Sequence, residues 1–252
     1  MSSELKLKGP EKTMTDSATQ HSRNFSLPSL ALSSGSVEAL KWIALMLMTG
    51  DHLNRFLFDG TVPFLFELGR LALPIFVFVL ACNLARPGQL ERGSYPRTMQ
   101  RLALFGALAS VPFIALGDLQ HAGWWPLNIL FSLLVLTTIL YLLERNDRLA
   151  AAVLFMVGGS LIEYSWLGLS LGVAVWIYCK RPSVPAAAVT LLACAGLWLS
   201  NGNFWALAAV PLILGATRLN LQLPRLRWFF YAYYPLHLGL IWLVRDLVGG
   251  MG

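Results

Sequence analysis

Asp51 and His52 stand side by side in the outer part of the first long apolar run of the chain, with Asn54 and Arg55 within a turn of them. The run from about Val37 to Phe58 reads as a membrane-crossing helix, where ionisable groups are costly enough to be read as a functional site. Histidine offers the most direct chemistry there, since its unperturbed pKa of roughly 6.5 lets the ring take up and return a proton near neutral pH. Asp51 and Arg55 are four residues apart and share a helix face, and His52 and Arg55, three apart, are also neighbours. Asp51 and His52 diverge by about 100° around the axis, so the group that orients His52 is expected from another helix. The plainer alternative is a polar cluster that closes the outer end of the helix.

Two further apolar runs carry groups that packing alone does not require. Glu67 and Arg70 lie three apart in the outer part of the second run, at a depth comparable with His52 and Arg55 because only Asp59 to Val62 join the two runs. Either an Asp51–Arg70 or a Glu67–Arg55 pair would neutralise the charge, and structural pairing explains Glu67 and Arg70 as readily as chemistry does. Pro74 is expected to kink or loosen this helix, and Asn83 sets an amide near its inner end. The last run contains Tyr233-Tyr234-Pro235-Leu236-His237. Tyr233 and His237, four apart, line one face, and Pro235 removes a backbone hydrogen bond and frees the carbonyl of Tyr231.

The elements that hold these groups follow from composition. Hydrophobic residues make up 56% of the chain and charged residues 13%, with the charges gathered between long apolar runs, which describes a polytopic membrane protein. The apolar runs fall at about 37–58, 63–85, 99–117, 126–143, 149–162, 165–179, 184–199, 204–217 and 227–248. Lys and Arg between them alternate by connection. Lys6, Lys8, Lys12 and Arg23 precede the first run, Arg86, Arg92, Arg97 and Arg101 follow the second, Arg145 and Arg148 the fourth, Lys180 and Arg181 the sixth, and Arg218, Arg225 and Arg227 the eighth. The connections near Gly60, His121, Tyr164 and Asn201 carry none. This bias predicts an all-α bundle of about nine transmembrane helices, the N-terminus in the cytoplasm and the C-terminus outside, in the periplasm. It also accounts for the net charge of +6 by membrane sidedness and not by nucleic acid. The stretch from Leu149 to Cys179 is short for two crossings, yet one tilted helix would move Lys180 and Arg181 to the wrong side, so two short or re-entrant passes are expected.

Residues 1–36 are polar, with Pro10 and Pro28, and read as a flexible cytoplasmic tail ahead of a membrane domain over 37–248. No signal peptide is expected in it. Cys82, Cys179 and Cys194 have no metal-like spacing, and neither a disulfide framework nor a zinc site is expected.

The run Leu40-Lys-Trp-Ile-Ala-Leu-Met-Leu-Met-Thr-Gly-Asp-His-Leu-Asn54, then Gly69-Arg-Leu-Ala-Leu-Pro-Ile-Phe76 with Asn83-Leu-Ala-Arg86, then Tyr234-Pro-Leu-His237, resembles the TraX family of pilin N-acetylases from conjugation systems. The resemblance runs from about Val37 to Val248, is most specific in the first two spans and only positional in the middle. More distantly, a histidine in the first span and an aromatic-rich segment ending in histidine in a late one are similar to membrane acyltransferases that carry acetyl groups from cytoplasmic acetyl-CoA to acceptors across the membrane. What the resemblance implies is an inner-membrane enzyme that acetylates the N-terminal amine of a conjugative pilin subunit, with acetyl-CoA as donor and membrane lipid as its surroundings.

Acetyl transfer to an amine needs a base and a donor for the oxyanion. His52 is the candidate base, Arg70 or Arg55 the oxyanion donor, and Asp51 or Glu67 the group that holds them. His237 is a second polar contact, and Asn54, Tyr233 and Tyr234 complete the candidate substrate contacts. Direct transfer and an acetyl-histidine intermediate both fit. At 1.5 Å per residue His52 lies roughly 20 Å from the inner end of its helix, about the reach of a pantetheine arm. The donor's phosphates are therefore expected on the inner basic residues Arg86, Arg97, Arg101, Lys180, Arg181, Arg225 and Arg227, with Lys41 as a further candidate. Two other readings use the same residues. One is O-acetylation of an envelope glycan; the other is a non-enzymatic pilus-assembly or transport subunit in which Asp51, His52 and Arg70 form a buried ion network or proton relay.

Overall fold

The computed structural model describes residues 33–117, 124–219, 223–224, 226 and 228–249, and all the regular structure among them is helical apart from an isolated parallel bridge between Leu127 and Ile162. Each of the nine apolar runs becomes a helix or a helix pair. Helix α1 spans Ser34–Leu57 and begins three residues before the run does, because the Ser33 hydroxyl caps it by accepting the Ser36 N–H at 3.1 Å. The second run is α2, Pro63–Gly69, and α3, Ala72–Ala85. The break at Arg70–Leu71 lies one turn before Pro74, whose missing N–H leaves the Arg70 carbonyl without a helical partner.

Next come α4, Ser94–Leu116, α5, Ile129–Glu144, α6, Arg148–Gly159, and α7, Ser165–Lys180. Helices α6 and α7 are separate, joined by a turn in which Tyr164 takes φ 58° and Ser165 φ 46°. The stretch from 149 to 179 is therefore two helices. With 12 residues, α6 rises roughly 18 Å, short of the ~30 Å hydrocarbon core. Helices α8, Val184–Gly196, and α9, Trp198–Asn201, share the next run; a 3-10 helix, Trp205–Ala208, leads into α10, Ala209–Thr217; and α11 runs from Phe229 to Gly249.

Among the described residues three helical stretches are long and apolar enough to cross a membrane: Pro63–Ala85, Ser94–Leu116 and Val184–Asn201. Helix α1 is as long but carries Glu38, Lys41, Asp51 and Arg55.

Helix α1 lies between α3 and α11; α3 packs along α7, α4 along α5 and α11, and α7 along α8. Apolar tails of lipid leave little hydrophobic drive between helices, so close packing over small residues holds such bundles. A Cβ on Gly172 of α7 would stand 2.3 Å from Leu136 of α5, and one on Gly159 of α6 2.4 Å from Trp166. Arg245 of α11 donates to the Leu116 carbonyl and, at 2.9 Å, to that of Ala115, closing the C-terminus of α4.

At the opposite end Tyr95, fully buried, donates to the Leu84 carbonyl at 3.0 Å and accepts from Trp176 Nε1 at 3.3 Å, tying α3, α4 and α7. Cys82 of α3 is bonded to Cys179 of α7, with Cα atoms 5.5 Å apart. This corrects the expectation from sequence that the cysteines form no disulfide. The two are 97 residues apart, and only the side-by-side packing of α3 and α7 brings them together.

Replacing Gly172 by Ala is expected to drive a methyl into the Leu136 side chain and cost about 1–3 kcal/mol. Reversible denaturation in detergent micelles, wild type against G172A, measures it.

Candidate functional site

The second half of α1, the C-terminal end of α2 and the first half of α11, with the α6–α7 turn, assemble one polar cluster. Asp51 sits against Gly69, where an added Cβ would approach its Cβ to 2.5 Å, and its carboxylate accepts from the Arg70 guanidinium. Of the two pairings open in the sequence, Asp51–Arg70 forms. Both side chains are largely buried, with relative exposures of 13% and 12%. Arg70 also donates from Nε to the Phe66 carbonyl at 3.2 Å and from Nη1 to the Tyr164 hydroxyl at 3.5 Å, and stacks over Phe66. Its guanidinium is thus committed on several sides. Glu67 is half-buried, and its carbonyl accepts the Arg70 N–H.

His52 faces α11. Its Nδ1 lies 2.7 Å from Nε2 of His237, and His237 Nδ1 lies 3.0 Å from the Tyr233 carbonyl oxygen. A carbonyl can only accept, so His237 Nδ1 carries a proton; in the neutral ring Nε2 then accepts, and His52 Nδ1 must donate to it. The consequence is a lone pair on His52 Nε2, the protonation state a general base needs. The two imidazole planes are parallel within 3°, with centroids 5.0 Å apart. Tyr233 stacks on His237 at 5.1 Å and its hydroxyl meets Thr49 Oγ1 at 3.0 Å. Buried Tyr234 sets its ring edge-on to both histidines, at 6.2 Å from His52 and 5.3 Å from His237.

Two adjoining cavities enter from the basic end. The first, of about 380 Å³, is lined by Ser34, Glu38, Lys41, Asn83, Arg86, Gln89, Arg92, Ser94, Arg97, Thr98 and Arg101 among others. The second, of about 310 Å³, shares Lys41, Asn83, Gln89, Ser94 and Thr98 with it, and continues between Leu45, Met48, Phe76, Val79, Leu80 and Leu133 to Phe230, Tyr231 and Tyr234. From Lys41 to His52, α1 rises roughly 16 Å. The apolar bore ends at Tyr234. His52 lines a separate small cavity of about 20 Å³ with Arg55, Phe56, Phe113, Gly117, Glu163 and Leu238.

Arg86, Arg97 and Arg101 line the basic mouth, whereas Lys180 and Arg181 do not. Lys180 pairs with Glu144 and covers Trp176, and Arg181 is the exposed C-cap of α7. Arg225 and Arg227 lie outside the described residues. Asn54 is buried, its Oδ1 accepting the Val62 N–H at 2.9 Å and its carbonyl the Gly60 N–H at 2.8 Å, so its polar groups hold the α1–α2 connection. Lys41 is engaged by Glu38 at 2.6 Å and lies over Phe230.

Sequence reasoning passed over Gln89, Arg92, Ser94 and Thr98 in the mouth, and Glu163 and Tyr164 in the outer cluster. Glu163 had a signal, being the only carboxylate between Asp147 and Asp246. Its carboxyl, in the turn between two helices, is pushed up to about 7, chiefly by burial, against the pull of Arg55 and Arg70.

A family model described as TraX protein matches residues 36–245. The chain is 30% identical over 254 residues to Protein TraX of Escherichia coli, an alignment covering 90% of this chain and 98% of that one. It is also 30% identical over 154 residues to Protein TraX of Escherichia coli strain K12, covering 57% and 58%. No solved structure matches.

Removing either partner of the Asp51–Arg70 pair leaves a buried charge uncompensated, and Asp51→Ala or Arg70→Ala is expected to cost about 3–5 kcal/mol, whereas the double change to apolar residues of similar volume recovers most of it. A double-mutant cycle on denaturation midpoints in micelles checks this; additive losses would show that the two groups act independently.

Proposed function

The chain belongs to the TraX family, and from that premise we propose that it is an integral membrane N-acetyltransferase that moves acetyl from cytoplasmic acetyl-CoA to the N-terminal amine of a conjugative pilin in the inner membrane. The observation that carries this reading is the order of the cavities: a basic mouth, an apolar bore, an aromatic ring, and then a histidine with its lone pair preset. A CoA thioester has the same order, with phosphates at one end, a slender arm, and the acyl group at the other.

In this reading the end bearing Arg86, Arg92, Arg97 and Arg101 faces the cytoplasm, as the alternation of basic connections requires, and these arginines hold the phosphates in the geometry guanidinium groups favour. The apolar bore excludes water from the thioester. The Tyr234 ring stands between the bore and His52, so the acetyl group meets the histidine pair at this ring. His52 Nε2 takes a proton from the attacking nitrogen, while His237, oriented by the Tyr233 carbonyl, steadies the imidazolium that forms. Arg55, which lines the small cavity with His52, serves the oxyanion, and Arg70, bound to Asp51, the Phe66 carbonyl and Tyr164, holds the cluster together. Asp51 is then a positioning residue for Arg70.

Membranes carrying the protein, supplied with acetyl-CoA and the processed pilin, are expected to yield pilin with one added acetyl group by mass spectrometry, and His52→Ala to slow this roughly 10²–10⁴-fold. Full activity of the H52A protein would remove His52 from the chemistry. Absence of acetylation by the unaltered protein would favour an assembly or transport role.

A further inference from the structure

A ring that closes a tunnel also limits what can lie in it. We propose that Tyr234 selects the donor by acyl length, admitting the two-carbon acetyl group and excluding longer acyl chains. This rests on the acetyltransferase reading and names the residue that decides which thioester reacts.

The first support is where the ring stands. Tyr234 lines the bore and packs edge-on against His52 at 6.2 Å and His237 at 5.3 Å, whereas neither histidine is among the described residues of the bore wall. An acyl group that comes up the bore therefore reaches the histidine pair only at this ring. Every added methylene has to find room on the near side of it.

The second support is that the ring is held. Tyr234 is 4% exposed, and Leu102 and Leu130, which also line the bore, are 3% and 6% exposed. These three belong to one packed cluster with Ala109, Leu238 and Ile241. The Ile129 N–H, one of the donors left free at the start of α5, is hydrogen-bonded to the Tyr234 hydroxyl. Packed on its faces and anchored at its tip, the ring has nowhere to swing, and a close-packed wall resists even one added methylene.

The third support is that the other end of the donor is fixed as well. Arg86, Arg97 and Arg101 line the mouth beside Lys41, and α1 rises roughly 10 Å from Lys41 to Met48, its last residue on the bore wall. With its phosphates held at the mouth, a CoA thioester cannot back out to make room. A longer acyl chain either strikes Tyr234 or draws the carbonyl carbon away from His52. Two fixed ends make a ruler.

The reaction is the same for every acyl group. The amine nitrogen forms the C–N bond as the C–S bond breaks, and the proton it loses passes through His52 Nε2 to the departing sulfur, leaving an amide and a thiol. Selection is by reach, so it shows in the ratio between two donors and not in the rate with either one.

The test follows transfer to the processed pilin by the full chain in micelles, with acetyl-, propionyl- and butyryl-CoA as donors, and compares their kcat/KM values. An extra methylene in an apolar pocket changes kcat/KM roughly 10–200-fold, so the wild type is expected to use butyryl-CoA about a hundredfold less well than acetyl-CoA, or worse. Tyr234→Ala is expected to raise the butyryl-to-acetyl ratio about tenfold or more, even where both rates fall, and Tyr234→Phe, which keeps the ring, to hold the wild-type ratio. Tyr234→Leu, apolar but shorter than the ring, is expected to fall between, and serves if the alanine variant does not fold. Equal use of acetyl- and butyryl-CoA by the wild type would overturn the assignment, as would a loss of rate in Y234A with an unchanged ratio, which marks a structural role. If the wild type transfers acetyl and no variant moves the ratio, only the role of Tyr234 falls; if the wild type transfers nothing from any donor, the acetyltransferase reading falls and takes this assignment with it.

Discussion

A charge carried into an apolar bundle must be neutralised where it sits, and the Asp51–Arg70 pair is where this fold meets that demand. Each ion left alone would cost several kcal/mol. Gly69 lets the backbone of α2 come close enough for the pair to close, and the break before Pro74 puts Arg70 at a helix end, where its side chain reaches Asp51, the Phe66 carbonyl and Tyr164 together. The register of α1 against α2 is set by that contact. Because Asp51 and His52 are adjacent, turning Asp51 towards α2 turns His52 towards α11. The ion pair thus aims the imidazole without touching it.

The second consequence is a directional hydrogen-bond chain. It begins at a backbone carbonyl, which admits no ambiguity of donor and acceptor, and ends at the His52 lone pair. A structural histidine needs only some partner; here the partner's partner fixes which nitrogen is left over. Two cavities lead from the arginine-rich end of the bundle towards this nitrogen and stop one ring short of it. Tyr234 is the partition, packed against both histidines and adjacent to Pro235 in α11.

Much of this was legible in the chain. Hydropathy placed the nine helical stretches found among the described residues, and the i, i+4 spacing of Tyr233 and His237, together with the 100° separation of Asp51 and His52, pointed to an orienting group on another helix. The pairing of Asp51 with Arg70 was one of two allowed by a short connection. What periodicity could not supply was anything settled by contacts between distant elements. Glu163 belongs to a turn that reaches the site only because Leu127 and Ser132 hold it there. Lys180 is drawn to Glu144 and Trp176 once α5 and α7 are packed, which no count of basic residues shows. Cys82 and Cys179 meet by the same kind of packing, and Asn54 is occupied by the connection that follows it.

The most direct examination of the central claim is photoaffinity labelling with an acyl-CoA whose acyl group carries a diazirine, followed by peptide mapping of the labelled protein. Label is expected on the α11 segment around Tyr231 to His237 and on the facing α3 segment around Phe76 to Leu80, abolished by excess acetyl-CoA. Label confined to the lipid-facing surface of α8, or label that acetyl-CoA does not displace, would contradict a thioester path from the basic mouth to the paired histidines.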